Sequence, residues 1–247
     1  MVKSIFKFSL YFIAIVSLGA NLFSCNGIDN EAIYWETLSL ERNESDFKAR
    51  ISYPYRFGGD TTVTNMMNYE IQAALSTPLI DVDREVSIDS MLTALYAEKQ
   101  RDSVLCRLPY QLVANSTIHQ MEHFTSIMLN TYYYTGGANG IGYQKYLNFD
   151  NKTGEIVPIQ DIINLDENLL VRVREMFAIV RNISPLSDKS AVNMFVDPKD
   201  IPFPEQIGFS SRGVEFFYNN YEVAPRSEGT TEVVIPYEEI EFLEIKN

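Results

Sequence analysis

The residues leading to Cys25 constrain what this chain can fold into more than any other feature. Lys3 and Lys7 are the only charges ahead of it, the 16 residues from Phe8 to Phe23 carry none, and Leu22-Phe23-Ser24-Cys25 sets a small residue beside the cysteine. Such a run falls short of the roughly 20 apolar residues that span a bilayer and suits the core of an export signal. The tetrapeptide has the form of a bacterial lipobox, in which the peptidase needs a small residue at the cut and the thiol carries the diacylglycerol. The expectation is therefore a signal peptide over 1–24, a lipidated Cys25 with a tether to residue 33, and a folded body beyond. Each buried methylene of the acyl chains contributes about 0.8 kcal/mol to membrane anchoring. Asn26 follows the cysteine, where an aspartate would signal inner-membrane retention, so the anchor is expected in the outer membrane of the cell envelope.

Lipidation also decides how the body is stabilised. The chain has two cysteines; with Cys25 acylated, Cys106 has no intramolecular partner, so no disulfide is expected even outside the cytoplasm. The mature 223 residues must build a core instead, which that length allows. Loss of Lys3 and Lys7 leaves 33 acidic residues against 18 basic ones, a net charge of −15. Nucleic-acid binding, which relies on Lys and Arg at phosphates, is excluded as a reading. A cationic partner would be steered inward.

The patterning mixes both periods. Trp35 to Ser52 alternates (Leu38, Leu40, Phe47, Ala49, Ile51) and ends in turn material at Tyr53-Pro54-Tyr55 and Gly58-Gly59-Asp60. Thr64 is read as the cap of a helix with Met67, Ile71, Ala74 and Leu75 on one stripe, and Pro78 follows. Ser87 opens a second helix, with Ile88, Met91, Leu92 and Leu95 facing inward and Glu98, Lys99 and Arg101 toward water. Leu105 to Val113, a turn at Asn115-Ser116 and Ile118 to Tyr134 read as a hairpin, and Tyr143 to Phe149 as the next strand. Asn164 and Glu167 suggest a capping box for a third helix with Leu169, Leu170, Val173, Met176, Phe177 and Val180 on one face. Strands at Gln206 to Ser210, Val214 to Tyr218 and Thr231 to Ile235 follow, with a short helix from Tyr237. The fold class expected is α+β, antiparallel sheets with helices packed on one face, in two intimately packed halves, 34–150 and 151–247.

Catalytic signatures are few. His119-Gln120-Met121-Glu122-His123 fits the H-x-x-E-H pattern of inverted zinc peptidases. On a helix the two rings could share a zinc ion with Glu122 as base, but the β-rich surroundings place the segment on a strand and no third ligand is in view. Asp81 to Glu85 resembles the start of a calcium loop, yet Val86 and Leu92 occupy the positions that need glycine and glutamate. No cofactor, metal or enzyme activity is expected. The constellation that remains is Tyr132-Tyr133-Tyr134-Thr135-Gly136-Gly137-Ala138-Asn139-Gly140, tyrosines at a strand end meeting glycines that permit positive φ. Tyr132, Tyr134, Thr135, Gly136, Gly137 and Asn139 are thus candidates for partner contact, against the alternative of a plain tight connection.

The stretch Tyr134 to Gly140, Phe203-Pro204-Glu205-Gln206-Ile207-Gly208-Phe209, Gly213-Val214-Glu215-Phe216-Phe217-Tyr218-Asn219-Asn220-Tyr221-Glu222-Val223-Ala224-Pro225 and Val233-Val234-Ile235-Pro236-Tyr237 together resemble the extracellular domain of RsiV-type anti-sigma factors. They are also similar to the non-catalytic N-terminal region of PdaC-type peptidoglycan deacetylases, and Ser52-Tyr53-Pro54 with the helix holding Asn68 resembles the front of the same unit. The resemblance implies an α+β envelope domain that senses lysozyme in the first group and accompanies a deacetylase in the second. Here it implies the module alone on a lipid anchor, binding peptidoglycan or a cationic lysozyme-like protein. A zinc hydrolase using His119, Glu122 and His123, or an architectural lipoprotein, are the rival expectations.

Overall fold

The alternating and helical stretches assemble into two sheets that share one seam. A computed structural model describes residues 32–76, 87–184 and 188–243; Cys25, Pro78 and the Asp81 to Glu85 segment lie outside them. The first sheet is ordered β1-β2-β3-β4-β5, from β1 (Tyr34–Asn43), β2 (Phe47–Phe57), β3 (Tyr110–Gln120), β4 (Phe124–Tyr134) and β5 (Ile141–Asp150). All its pairings are antiparallel except β2 with β3, which run parallel over Phe47–Ile51 and Tyr110–Ala114. Two helices fill that crossover, α1 (Thr61–Ser76) and α2 (Ile88–Arg101). They bury Met67, Ile71, Ile88, Met91 and Leu92 against Phe47, Ala49, Ile51, Leu112, Ile127 and Leu129 of one sheet face. The second sheet is β6 (Gln206–Ser210), β7 (Gly213–Tyr218) and β8 (Thr231–Ile235) in that order, with α3 (Glu167–Val180) preceding it. Leu169, Val173 and Phe177 of α3 join Ile207, Val214, Phe216, Val233 and Ile235 in a second core, which also takes Phe124 from β4. The architecture is α+β, as expected from the sequence. No described helix is long and apolar enough to cross a membrane.

Local rules explain where the boundaries differ from the expected ones. Asp60, not Thr64, caps α1, its carboxylate accepting the N–H groups of Thr62 and Val63 at 2.8 and 3.1 Å, so the helix gains one more turn. Asp166 likewise caps α3 through Leu169 N–H, while Asn164 bonds Glu241 instead. Val180 falls off the buried stripe and is half exposed. No turn forms at Asn115-Ser116, because both sit in register against Asn130 and Leu129 and cross-strand pairing outweighs their turn preference. The chain reverses instead at Met121, whose N–H reaches Phe124 C=O. The apolar run at Leu105 starts as a 3-10 turn, Leu105–Arg107, since Pro109 withholds an N–H from any strand that would include it. Pro54 lies inside β2 rather than in a turn. The clearest reversal is Lys99, expected in water but 1% exposed. Its ammonium pairs with Asp46, donates to Cys106 C=O at 3.0 Å and lies 5.5 Å from the Tyr110 ring centre. This contact holds the Asp46 carboxyl below its ordinary range.

Candidate binding face

Residues paired across a sheet share a face, so the registers divide the first sheet cleanly. Tyr133 pairs with Leu112 and packs on the core under α1 and α2. Tyr132 and Tyr134 therefore point to the opposite side, with Val113 and Gln111 as their β3 partners. In line with them on that side are Asn130 and Asn115, then Lys48 and Arg50 of β2, all exposed. Arg50 is ion-paired with Glu41 at 3.0 Å, which leaves the face rich in amides and hydroxyls and poor in net charge. It is a surface, not a cavity. The hollow nearest the tyrosines, lined by Ile51, Leu75, Leu112 and Tyr133, measures about 10 Å³, room for one water at most.

The glycine loop supports this face. Gly136 has φ +83°, and a Cβ there would sit 2.3 Å from Leu108 Cβ. Gly140 lies beneath the Tyr132 ring, where a Cβ would meet the hydroxyl at 2.2 Å. The loop thereby fixes one ring by close backbone approach while the ring stays 38% exposed. Thr135, Gly137 and Asn139 are exposed at the loop's tip, and nothing lies within 4 Å of a Cβ built on Gly137.

The other half of the same sheet face is covered by the second sheet through a polar seam, which sequence reading missed. Gly208 of β6 packs against the Tyr146 ring, 2.0 Å from where its Cβ would be. Tyr146 donates to Glu215 at 2.5 Å and accepts from Gln144 at 2.9 Å; burial first, then that carboxylate, pushes its pKa up. Glu215 is buried too. Burial would raise its pKa, but hydrogen bonds from Ser210, Tyr146 and Arg212 outweigh it and hold the carboxyl below 4.5. Ser126 takes Phe209 N–H and donates to Asn148, which donates to Ile207 C=O. Among the described residues no buried side-chain nitrogen or oxygen lacks a partner. The sequence signal for this seam was the alternate placement of Gln144, Tyr146 and Asn148, which puts their polar side chains on one face of the strand.

The histidine motif does not form on a helix. His119 is the next-to-last residue of β3 and its Nε2 lies 3.2 Å from the Tyr237 hydroxyl. That hydroxyl donates to Ser210 C=O at 2.6 Å, so it accepts from the ring, and Nε2 must carry a proton. Glu122 and His123 are exposed in the following turn. Among the described residues no three His, Cys, Asp or Glu side chains are grouped to hold a metal. Cys106 is free and half-buried. A larger hollow of about 300 Å³ at the start of α3 is lined by Asn164, Asp166, Arg172, Glu239 and Glu241. Its polar groups largely satisfy one another, Arg172 with Glu239 at 2.7 Å and Asn164 with Glu241 at 2.9 Å.

Residues 155–238 match the model of a family described as protein of unknown function (DUF3298). The chain thus contains a DUF3298 domain, spanning α3 and the second sheet. Two solved structures of that family share the fold. One, from Bacteroides fragilis, has TM-score 0.64 at 17% identity over 87% of this chain and 95% of its own. The other, from Pseudomonas aeruginosa, has TM-score 0.59 at 15% identity over 85% and 93%. No curated protein matches the chain.

Proposed function

We propose that this protein is a non-catalytic binding module, anchored in the cell envelope through an acylated Cys25, whose open sheet face takes the glycan of peptidoglycan. The observation that carries the reading is the face itself. Tyr132 offers a ring held by backbone contact to Gly140, and the amides of Asn115, Asn130 and Gln111 stand beside it on paired strands. Aromatic planes suit the C–H faces of sugars, and each amide supplies donors and an acceptor for hydroxyls. A flat site with no sizeable cavity fits a long polymer better than a small molecule, which buries most of its surface in a cleft. The resemblance to envelope domains that attend peptidoglycan enzymes and sensors supports the same reading.

Co-sedimentation of the 26–247 fragment with purified, protein-free sacculi tests it. The parent fragment should pellet, and Tyr132→Ala/Tyr134→Ala should stay in the supernatant; equal pelleting of both would overturn the assignment. A second reading, a cationic lysozyme-like protein as partner, is favoured by the mature net charge of −15. Calorimetric heat with lysozyme that fades at high salt, and persists in the tyrosine double variant, would support that reading in its place.

A further inference from the structure

The outer edge of β1 carries unmet hydrogen-bonding capacity whose direction the structure defines. Asn68 of α1 takes both Arg56 N–H and Arg56 C=O, at 2.8 and 2.9 Å, so Arg56 and the β2 residues in phase with it turn their peptide groups away from β1. Glu44 N–H reaches Phe47 C=O, which puts the other phase toward β1. In the continuous antiparallel register, Trp35 faces Arg56, Thr37 faces Pro54, Ser39 faces Ser52 and Glu41 faces Arg50. Those four β1 residues therefore aim their N–H and C=O groups out of the sheet. Among the described residues none bonds to them, and β1 has neither proline nor bulge to blunt its edge.

We propose that this edge pairs with the same edge of a second copy of the chain, β1 antiparallel to β1 about a two-fold axis at Ser39, joining two five-stranded sheets. A two-fold axis normal to the sheet keeps both helical layers on one side, so only residues of like phase can face each other. Four centres pair seven or more residues of β1 (Tyr34–Asn43). About Thr37, Glu36 would meet Leu38. About Leu38, Glu36 would meet Leu40. About Leu40, Glu36 would meet Glu44 and Leu38 would meet Arg42. About Ser39, Glu36 meets Arg42 of the second copy and Leu38 meets its Leu40, each twice by symmetry, while Thr37 meets Glu41. Only this register matches opposite charges and keeps apolar residues together. The bonds of Arg42 to Asp89 and Thr93 both use Nη2, and a guanidinium carries five donors. The like net charge of the two copies opposes association at low salt, so pairing is tested at physiological ionic strength, where the screening length is about 8 Å.

The test uses the full chain in intact cells, with Cys106→Ser as background and a short bis-maleimide, which forms a thioether with each of two cysteine thiols and needs no oxidant. Ser39→Cys should give a band of twice the chain mass. Thr37→Cys and Glu41→Cys should each cross-link weakly alone and strongly when co-expressed. Adding Ser39→Pro, which removes an outward N–H that this chain does not use, should lower the Thr37/Glu41 band by roughly tenfold, a free-energy change of about 1.4 kcal/mol. Ser39→Lys, which sets two ammonium groups across the axis, should do the same without touching the backbone. Equal cross-linking at all three positions, no dimer band, or a Ser39→Cys band at the mass of a different protein would overturn the proposal.

Discussion

The two edges of the five-stranded sheet meet opposite fates. At β5 the outward peptide groups belong to Gln144, Tyr146 and Asn148. Asn219 accepts from Gln144 N–H and donates to its C=O, both at 2.9 Å. Gln206 accepts from Tyr146 N–H at 3.0 Å, and Val157 N–H reaches Asn148 C=O at 2.8 Å. Side-chain amides stand in for a missing strand, so the second sheet can dock on its flank without leaving buried peptide groups unpaired. The same device recurs at Asn68 over Arg56. At β1 no described residue plays that part. An edge closed from within the chain becomes an interior seam, and an edge left open remains a surface for another chain.

The largest effect should come from unsealing β5. Asn219→Ala strands the buried N–H and C=O of Gln144 together, at a cost of about 3 kcal/mol for the two groups. By calorimetry that should lower the melting temperature by about 6–12 °C for a chain of this size; a shift under about 2 °C would mean water replaces the amide there. Gly208→Ala pushes a methyl into the Tyr146 ring and should cost about 2 kcal/mol of overpacking, readable as a lower urea midpoint with unchanged slope. Acid should act on the same seam. The folded pKa of Glu215 is depressed, so its stabilising contribution is complete above the ordinary value of 4.5 and is lost as the pH falls toward the folded value. Glu215→Gln should flatten that acid limb of stability against pH while leaving neutral behaviour closer to the parent than Glu215→Ala does. The smallest effect belongs to β1, where Thr37→Lys should change stability by less than about 0.5 kcal/mol. A larger loss that persists in the Ser39→Lys background, where the proposed pairing between copies is broken, would show that the open edge is in contact within the chain.

Much of the fold was legible because it rests on short-range periodicity. The stripe Met67, Ile71, Ala74, Leu75, the stripe Ile88, Met91, Leu92, Leu95 and the strand Thr231–Ile235 lie where their spacing predicted. The turn after the tyrosines was visible too, because Gly136 adopts a positive φ that glycine favours. What escaped was pairing. Asn115 and Ser116 read as a turn because their preference is local, whereas their partners Asn130 and Leu129 are remote. Lys99 read as a water-facing residue because Asp46, which neutralises it, comes from a loop 53 positions away.

By itself the amino-acid order determined the α+β class, the helices, most strand positions and the glycine turn after Tyr134, since each follows from residues within a turn or two of one another. Tertiary structure alone decided which sheet edge is sealed, which half of the sheet face stays open, and why Asn68, Asn219, Gln206 and Glu215 occupy their places. Hydrogen bonds between residues about 70 positions apart, such as Tyr146 to Glu215 and Gln144 to Asn219, leave no periodic trace. They exist only where two separately patterned surfaces meet and every buried polar group must find a partner.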